Sequence, residues 1–201
     1  MIEVIFGPPG SGKGTQAARI EKAFHLNHLS TGDILRAEVA KGTDLGQQAG
    51  RIMAAGDLVP DDLIVNLVRR RLPDSEQGPG VLLDGFPRTV QQAVALDQML
   101  DEEGHRVDSV IALDVPEPVL VDRILHRAAV ERRADDTREA IAERMHEYHK
   151  LTEAVLDHYR KKGVPVKVID GTGDVDAVFE RIRRSISWPR APEVGLSPGS
   201  S

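Results

Sequence analysis

Apolar residues fall along the chain in two kinds of stretch. Five runs are short and nearly continuous: Ile2–Phe6, His28–Leu29, Val81–Leu83, Val110–Val115 and Val166–Ile169. Between them lie longer segments in which apolar residues recur every three or four positions, in a background of Ala, Arg, Glu and Leu. The first kind predicts buried strands and the second amphipathic helices. The helices expected are Lys13–Phe24, Ile34–Lys41, Leu45–Ala55, Asp61–Arg71, Val90–Glu103, Pro118–Arg127, Arg138–Arg160 and Val175–Ile186. Thr43, Thr89 and Asp174 stand where N-caps belong, and Gly104 and Gly163 where helices stop. Strands that alternate with helices predict an α/β protein, with a parallel sheet covered on both faces.

Composition narrows the picture. The 201 residues suffice for one sizeable core with small insertions. With only 3% aromatic residues, that core must be built from Leu, Ile, Val, Ala and Met. A net charge of -6 gives nothing global to attract a polyanion, so neither nucleic acid nor an anionic membrane is an expected partner. The chain has no cysteine, which excludes disulfides, thiolate zinc sites and thiol nucleophiles and fits a cytoplasmic protein. The first apolar run is interrupted by Glu3 and is too short for a signal segment or a membrane span. After Trp188 the sequence turns to Pro, Gly and Ser, and residues 188–201 are expected to be a disordered tail.

The first candidate chemistry is Gly7-Pro8-Pro9-Gly10-Ser11-Gly12-Lys13-Gly14-Thr15, between a predicted strand and a predicted helix. That is the setting of a phosphate-binding loop. Glycines let several backbone N–H groups turn inward, the helix N-terminus adds partial positive charge, and Lys13 supplies a mobile cation. One feature is unusual. The residue after Lys13 is Gly14, and the hydroxyl comes one place later at Thr15. Mg²⁺ accompanying a nucleotide is therefore expected to be held by phosphates and water, with protein carboxylates outside its direct ligands.

Three further constellations follow: Leu29-Ser30-Thr31-Gly32-Asp33-Ile34-Leu35-Arg36, Gly56-Asp57-Leu58-Val59-Pro60, and Asp84-Gly85-Phe86-Pro87-Arg88-Thr89-Val90-Gln91-Gln92-Ala93. With these, the chain from Met1 to about Ile186 resembles the adenylate kinase family in its bacterial short-lid form. The resemblance implies a phosphate-loop NTPase fold of three layers, with a five-stranded parallel sheet, a small helical AMP-binding insert and a short lid. Residues 1–29, 60–125 and 137–187 would form the core, 30–59 the insert and 126–136 the lid. The implied reaction is ATP + AMP = 2 ADP with Mg²⁺, serving adenine nucleotide homeostasis in the cytoplasm. The complete single-chain site implies a monomer.

The resemblance also assigns residues. Gly10, Ser11, Gly12, Lys13, Gly14, Thr15, Arg127 and Gly173 would bind ATP. Thr31, Arg36, Asp57, Leu58, Val59, Gly85, Phe86, Pro87, Arg88 and Gln92 would bind AMP, joined by Arg133 and Arg144. Lys13, Arg88, Arg123, Arg133 and Arg144 would be catalytic, and Asp84 would orient water on Mg²⁺. The segment His126–Thr137 carries no strand or long-helix pattern and ends in Arg133-Ala134-Asp135-Asp136-Thr137, typical of the short lid. Arg132 stands where lids of the family commonly have glycine, and the lid is a few residues longer than the most compact ones. It is too short for the long inserted form, and zinc is excluded for want of ligands. His146 and His149, three apart on a helix, read better as a solvated face than as metal ligands.

Other functions compete. A related kinase could take UMP or CMP as acceptor, or GTP as donor. A nucleotide switch or ATPase would share the phosphate loop, but Asn-Lys-x-Asp is missing and the residues around Arg88 would have no purpose. A silent nucleotide sensor would keep the same arginines without turnover.

Overall fold

The computed structural model describes residues 1–75, 80–131 and 138–187; the side chains of 73–75, 127–131 and 138 are outside that description. Arg132, Arg133 and the 188–201 tail lie outside the described residues. The strands are β1 (Ile2–Phe6), β2 (Asn27–Ser30), β3 (Val81–Asp84), β4 (Ser109–Asp114) and β5 (Val166–Asp170). The helices are α1 (Lys13–Phe24), α2 (Thr31–Lys41), α3 (Asp44–Ala55), α4 (Asp61–Ser75), α5 (Val90–Glu102), α6 (Glu117–Glu131), α7 (Arg138–Glu147), α8 (Glu153–Lys161) and α9 (Val175–Ser185). A π-helical turn, Tyr148–Thr152, separates α7 from α8.

All four strand pairings are parallel, and the sheet order is β2-β3-β1-β4-β5. Parallel strands need helical crossovers, which cover both faces and explain why β1 is buried at every position. Ile2, Val4 and Phe6 pack with residues of α4, α5 and α8, including Val68, Leu96 and Tyr159. Ile5 faces the other layer, with Ala17 and Ile20 of α1 and Val178 and Ile182 of α9. The order places β1 at a topological switch point: the connection from β1 runs to β2 on one side, and the one from β3 crosses to β4 on the other. In open parallel sheets ligands bind at the carboxyl ends of such strands.

Glu3 breaks the apolar pattern of β1 and is fully buried. One carboxylate oxygen accepts from Ser109 Oγ on the adjacent β4, and the other, Oε1, has no partner. Burial pushes its pKa up to about 8, against the lowering effect of the Ser109 hydrogen bond.

Local signals set most element ends. Ser30, Thr43, Thr89 and Asp174 cap α2, α3, α5 and α9 through side-chain oxygens that accept from backbone N–H groups. α2 and α3 pack closely at Gly46, where a Cβ would stand 2.1 Å from the Glu38 carbonyl oxygen.

Three sequence expectations change. α2 begins at Thr31 rather than Ile34, because Ser30 is its cap. The single helix expected over Arg138–Arg160 is divided by the π turn, whose i→i+5 bonds leave no mark in hydrophobic periodicity. The segment His126–Thr137 begins as helix, since α6 runs to Glu131. His126–Glu131 holds no glycine or proline to end a helix, and Ala128 and Ala129 favour one. Among the described residues, no helix is long and apolar enough to cross a membrane.

Candidate active site

The phosphate loop leaves β1 at the switch point. Gly10 and Gly12 adopt φ of 81° and 90°, in the left-handed region that glycine enters freely. Gly12 caps α1 without a side-chain oxygen, so the first-turn N–H groups are not consumed by a capping side chain. Lys13 Nζ donates to the carbonyl oxygens of Gly7 at 2.5 Å and Pro8 at 3.1 Å, which lays the ammonium along the loop. Ser11 is buried, and its Oγ has no hydrogen-bond partner.

Arg123 of α6 joins this loop to the turn after β5. It donates to the carbonyl oxygens of Ser11 at 3.4 Å, Gly171 at 3.0 Å and Gly173 at 3.4 Å. Arg181 of α9 donates to the Asp170 and Thr172 carbonyls, both at 2.7 Å. Within the turn, Asp170 Oδ1 accepts from the Thr172 N–H and hydroxyl, and those bonds lower the Asp170 pKa. Gln16, buried on α1, donates to the Val175 carbonyl at 3.0 Å. The Gly171-Thr172-Gly173 turn is thus held from α6 and α9, and the start of α9 just beyond it from α1. Sequence inspection singled out Arg123 and Gly173 but missed Gln16, Asp170 and Arg181. A polar side chain carries no local sign of which distant or neighbouring backbone group it will grip.

These pieces line an open cleft of about 2160 Å³. Gly10, Ser11, Gly12, Lys13, Gly14, Thr15, Arg123 and Gly173 all face it. Arg127 lies on α6 nearby in sequence, with its side chain outside the description. A second cleft of about 550 Å³ opens beside α2 and α3. Thr31, Arg36, Asp57, Leu58, Val59, Gly85, Arg88, Gln92 and Arg144 line it. Arg36, Gly85, Arg88 and Arg144 line both clefts, so the two meet at a cluster of arginines. Phe86 and Pro87 instead line an adjoining hollow with Lys13, Arg88 and Arg144, and Phe86 is otherwise a core residue.

The second cleft is organised around Gly85, at the end of β3. Its φ is 77°, and a Cβ there would approach Thr31 Oγ1 to 2.9 Å and Arg88 Nη2 to 3.1 Å. Its carbonyl accepts from Thr31 Oγ1 and Arg88 Nε, each at 2.9 Å. Thr31 is buried and does not cap α2; Ser30 does. Arg36 pairs with Asp33 at 2.5 Å. The Arg88 carbonyl accepts from Thr152 of the π turn at 3.2 Å, which ties the turn to this loop. Gln92 is buried between two partners: its Oε1 accepts from the Arg88 N–H and its Nε2 donates to Asp61 Oδ1, both at 2.7 Å. Asp61 was legible only as an acidic residue at a helix start.

Asp84 ends β3 inside the larger cleft, with its carboxylate 3.4 Å from His28 Nε2. His28 Nε2 has no aligned hydrogen-bond acceptor, so the pair is a charge contact. Burial alone would lower the His28 pKa, but Asp84, with Glu21 and Asp33 further off, outweighs it and the pKa rises. Among the described residues no three His, Cys, Asp or Glu side chains converge to cage a metal. A hydroxyl at Thr15 and the carboxylate of Asp84 in one cleft fit a hydrated hard cation carried on phosphate, rather than an ion caged by protein.

A phosphate loop at the switch strand of a parallel sheet, opening on two clefts that share their arginines, is the arrangement of a phosphoryl-transferring enzyme. Comparison with known proteins narrows the class. A family model described as adenylate kinase matches residues 5–164. Adenylate kinase of Xanthomonas euvesicatoria is 46% identical over 183 residues, covering 91% of this chain and 97% of that protein. That of Stenotrophomonas maltophilia is 46% identical with the same coverage, and that of Xylella fastidiosa is 46% identical over 179 residues, 89% of this chain and 95% of the relative. The chain belongs to the adenylate kinase family. It is a nucleoside monophosphate kinase, and its reaction is ATP + AMP = 2 ADP. Enzymes of this family use Mg²⁺ with ATP.

Proposed function

We propose that the larger cleft holds ATP and the smaller AMP, with their phosphates facing each other across Arg36, Arg88 and Arg144. The observation that carries this reading is the sharing of those arginines by both clefts. Two phosphate chains drawn to one set of cations are held for in-line attack, and no covalent intermediate is needed.

Each residue has a part in this reading. The loop Gly10–Thr15 cradles the ATP phosphates with backbone N–H groups, and Lys13 follows the charge on the transferring group. Arg88 and Arg36 grip the AMP phosphate, for which a planar guanidinium can make two parallel hydrogen bonds. Arg123 holds the phosphate loop and the Gly173 turn together, and the turn receives the ATP base. Arg123, Arg127, Arg133 and Arg144 neutralise charge as it spreads over the phosphoryl group. Asp84 and Thr15 would hold water around Mg²⁺, which screens the ATP phosphates. Residues 30–59 serve as the AMP insert and 126–136 as a lid that excludes water, on a core of 1–29, 60–125 and 137–187. No general base is required, because the AMP phosphate is ionised near neutral pH.

The absence of cysteine supports an enzyme without zinc. A site assembled from one chain supports a monomer. The acidic charge and the lack of cysteine support a cytoplasmic enzyme, free of nucleic acid and membrane, that balances the adenine nucleotides. A coupled assay with ATP and a panel of monophosphates tests the assignment of the acceptor cleft. AMP is expected to be strongly preferred, and equal use of UMP would overturn the adenine assignment.

A further inference from the structure

A carboxylate only accepts hydrogen bonds and a backbone N–H only donates them. The Gln92 amide is held between one of each. Nε2 donates to Asp61 Oδ1 and Oε1 accepts from the Arg88 N–H, both at 2.7 Å. Reversing the amide would set two acceptors against each other at Asp61 and two donors against each other at Arg88. Gln92 is 2% exposed, so water cannot relieve the mismatch. The orientation of this amide therefore follows from its partners rather than from a choice between similar atoms.

Asp61 is itself fixed. Its Oδ2 accepts from Thr89 Oγ1 at 2.8 Å, and Thr89 Oγ1 in turn accepts from the Gln92 backbone N–H at 3.1 Å. The three side chains close a ring between the start of α4 and the start of α5. Gln92 lines the acceptor cleft, while Asp61 stands behind it and does not. One N–H and one oxygen lone pair of the amide are left over from the ring.

We propose that Asp61 is a positioning residue that sets the hydrogen-bond polarity of the acceptor cleft, and so selects 6-amino over 6-oxo purine monophosphates. The inference rests on assigning this cleft to AMP. Adenine carries a donor at its amino group beside a ring-nitrogen acceptor. Hypoxanthine has the same outline with the two reversed, an oxygen acceptor beside a ring N–H. An amide free to turn over would serve both bases. One held by Asp61 serves adenine and leaves hypoxanthine with like groups opposed.

The test compares kcat/KM for AMP and IMP, with ATP as donor, in the full-length protein and in Asp61→Asn. Asparagine keeps the shape but can donate as well as accept, so the constraint at Asp61 is lost and only the one at Arg88 remains. The AMP:IMP ratio is expected to fall about tenfold, the size of one opposed pair of buried polar groups. Asp61→Ser, which keeps an oxygen at the start of α4, should lower the ratio as well. Thr89→Val is the structural control: it removes the cap and one arm of the ring, and is expected to lower Tm with the ratio within about twofold of the parent. A ratio unchanged in both Asp61 variants, with the parent selective, overturns the role of Asp61 and leaves the AMP assignment standing. An equal fall in Thr89→Val also overturns it, since general loosening would then be the cause. A parent enzyme that takes IMP as readily as AMP counts against the AMP assignment itself.

Discussion

On the proposed assignment, the two clefts achieve recognition by opposite means. The larger cleft, proposed for the donor, takes its distinctive parts from backbone: a glycine loop, the first turn of α1, and a Gly-Thr-Gly turn whose carbonyls are gripped by Arg123 and Arg181. The smaller cleft, proposed for the acceptor, is organised by side chains held in fixed directions, with Thr31 and Arg88 on the Gly85 carbonyl and Gln92 between Asp61 and the Arg88 backbone. Phosphate is the same on every nucleotide, so a backbone cradle can hold it with few specified residues. A base must be told from other bases, and that takes donors and acceptors whose directions are fixed.

If this contrast is right, the largest single loss lies at the one indispensable side chain of the donor loop. Lys13→Ala should lower kcat by on the order of 10²–10³ while the folded state persists, because a preorganised cation is removed from a developing anion. Steady-state kinetics with circular dichroism as a folding control checks this; a folded variant with near-normal kcat would remove Lys13 from catalysis.

The next largest effects separate two arginines. Arg88 is anchored to Gly85 in the ground state, so Arg88→Ala should both raise the KM for AMP and slow turnover, by roughly 10–100-fold in kcat/KM. Arg133 belongs to the proposed lid, whose contact with the phosphoryl group completes only on closure. Arg133→Ala should therefore lower kcat with little change in KM. An unaltered kcat would mean that the lid is aligned on the wrong residue.

What was legible in the sequence divides along the same line. The phosphate loop declares itself because its glycines, its lysine and its place between strand and helix are local. The caps at Thr43, Thr89 and Asp174 are equally local, and all three stand in the structure. Most residues that line the smaller cleft were named through family resemblance, but their wiring was not. Asp61 meets Gln92 across 31 positions of sequence, and Thr152 meets the Arg88 carbonyl across 64. No hydrophobic period records such pairings. The π turn went unseen for a related reason, since its apolar residues satisfy helical spacing. Thr31 was open to two interpretations, as a helix cap or as part of the base site, and only geometry separates it from Ser30.

That separation gives a smaller but sharper prediction. Ser30→Ala removes the α2 cap and should cost about 1 kcal/mol of stability, leaving the AMP:CMP preference intact. Thr31→Ala leaves the cap and removes the hydroxyl held on Gly85. It should reduce the ratio of kcat/KM for AMP over CMP severalfold with a smaller shift in Tm, and Gln92→Ala should reduce it too. Thermal melts paired with the two-substrate assay decide the matter. If Ser30→Ala erodes the preference as much as Thr31→Ala does, the division between cap and base site is wrong.

The smallest expected effect on turnover comes from Glu3, which faces neither cleft although it lies on the strand that feeds the phosphate loop. Burial pushes its carboxyl up to about 8 in the folded chain, from the 4.5 of an ordinary glutamate, because it disfavours the anion more than Ser109 supports it. Between those two pH values the folded chain holds a proton that the unfolded chain has released. Stability must then fall as pH rises from about 4.5 to about 8, and level off above that range as both states become ionised. Glu3→Gln fixes a neutral, hydrogen-bonding group at the same place. The variant should melt close to the parent below pH 4.5 and progressively above it as pH rises. The gain would be on the order of a few kcal/mol at pH 8, discounted for whatever relaxation lets water reach the carboxylate. Its kcat and AMP:CMP ratio should match those of the parent. A Tm difference that stays constant from pH 4 to pH 9 would show that Glu3 is ionised in the folded protein. A change in the ratio would show that the centre of the sheet is coupled to base recognition, and that the two clefts are less independent than their construction implies.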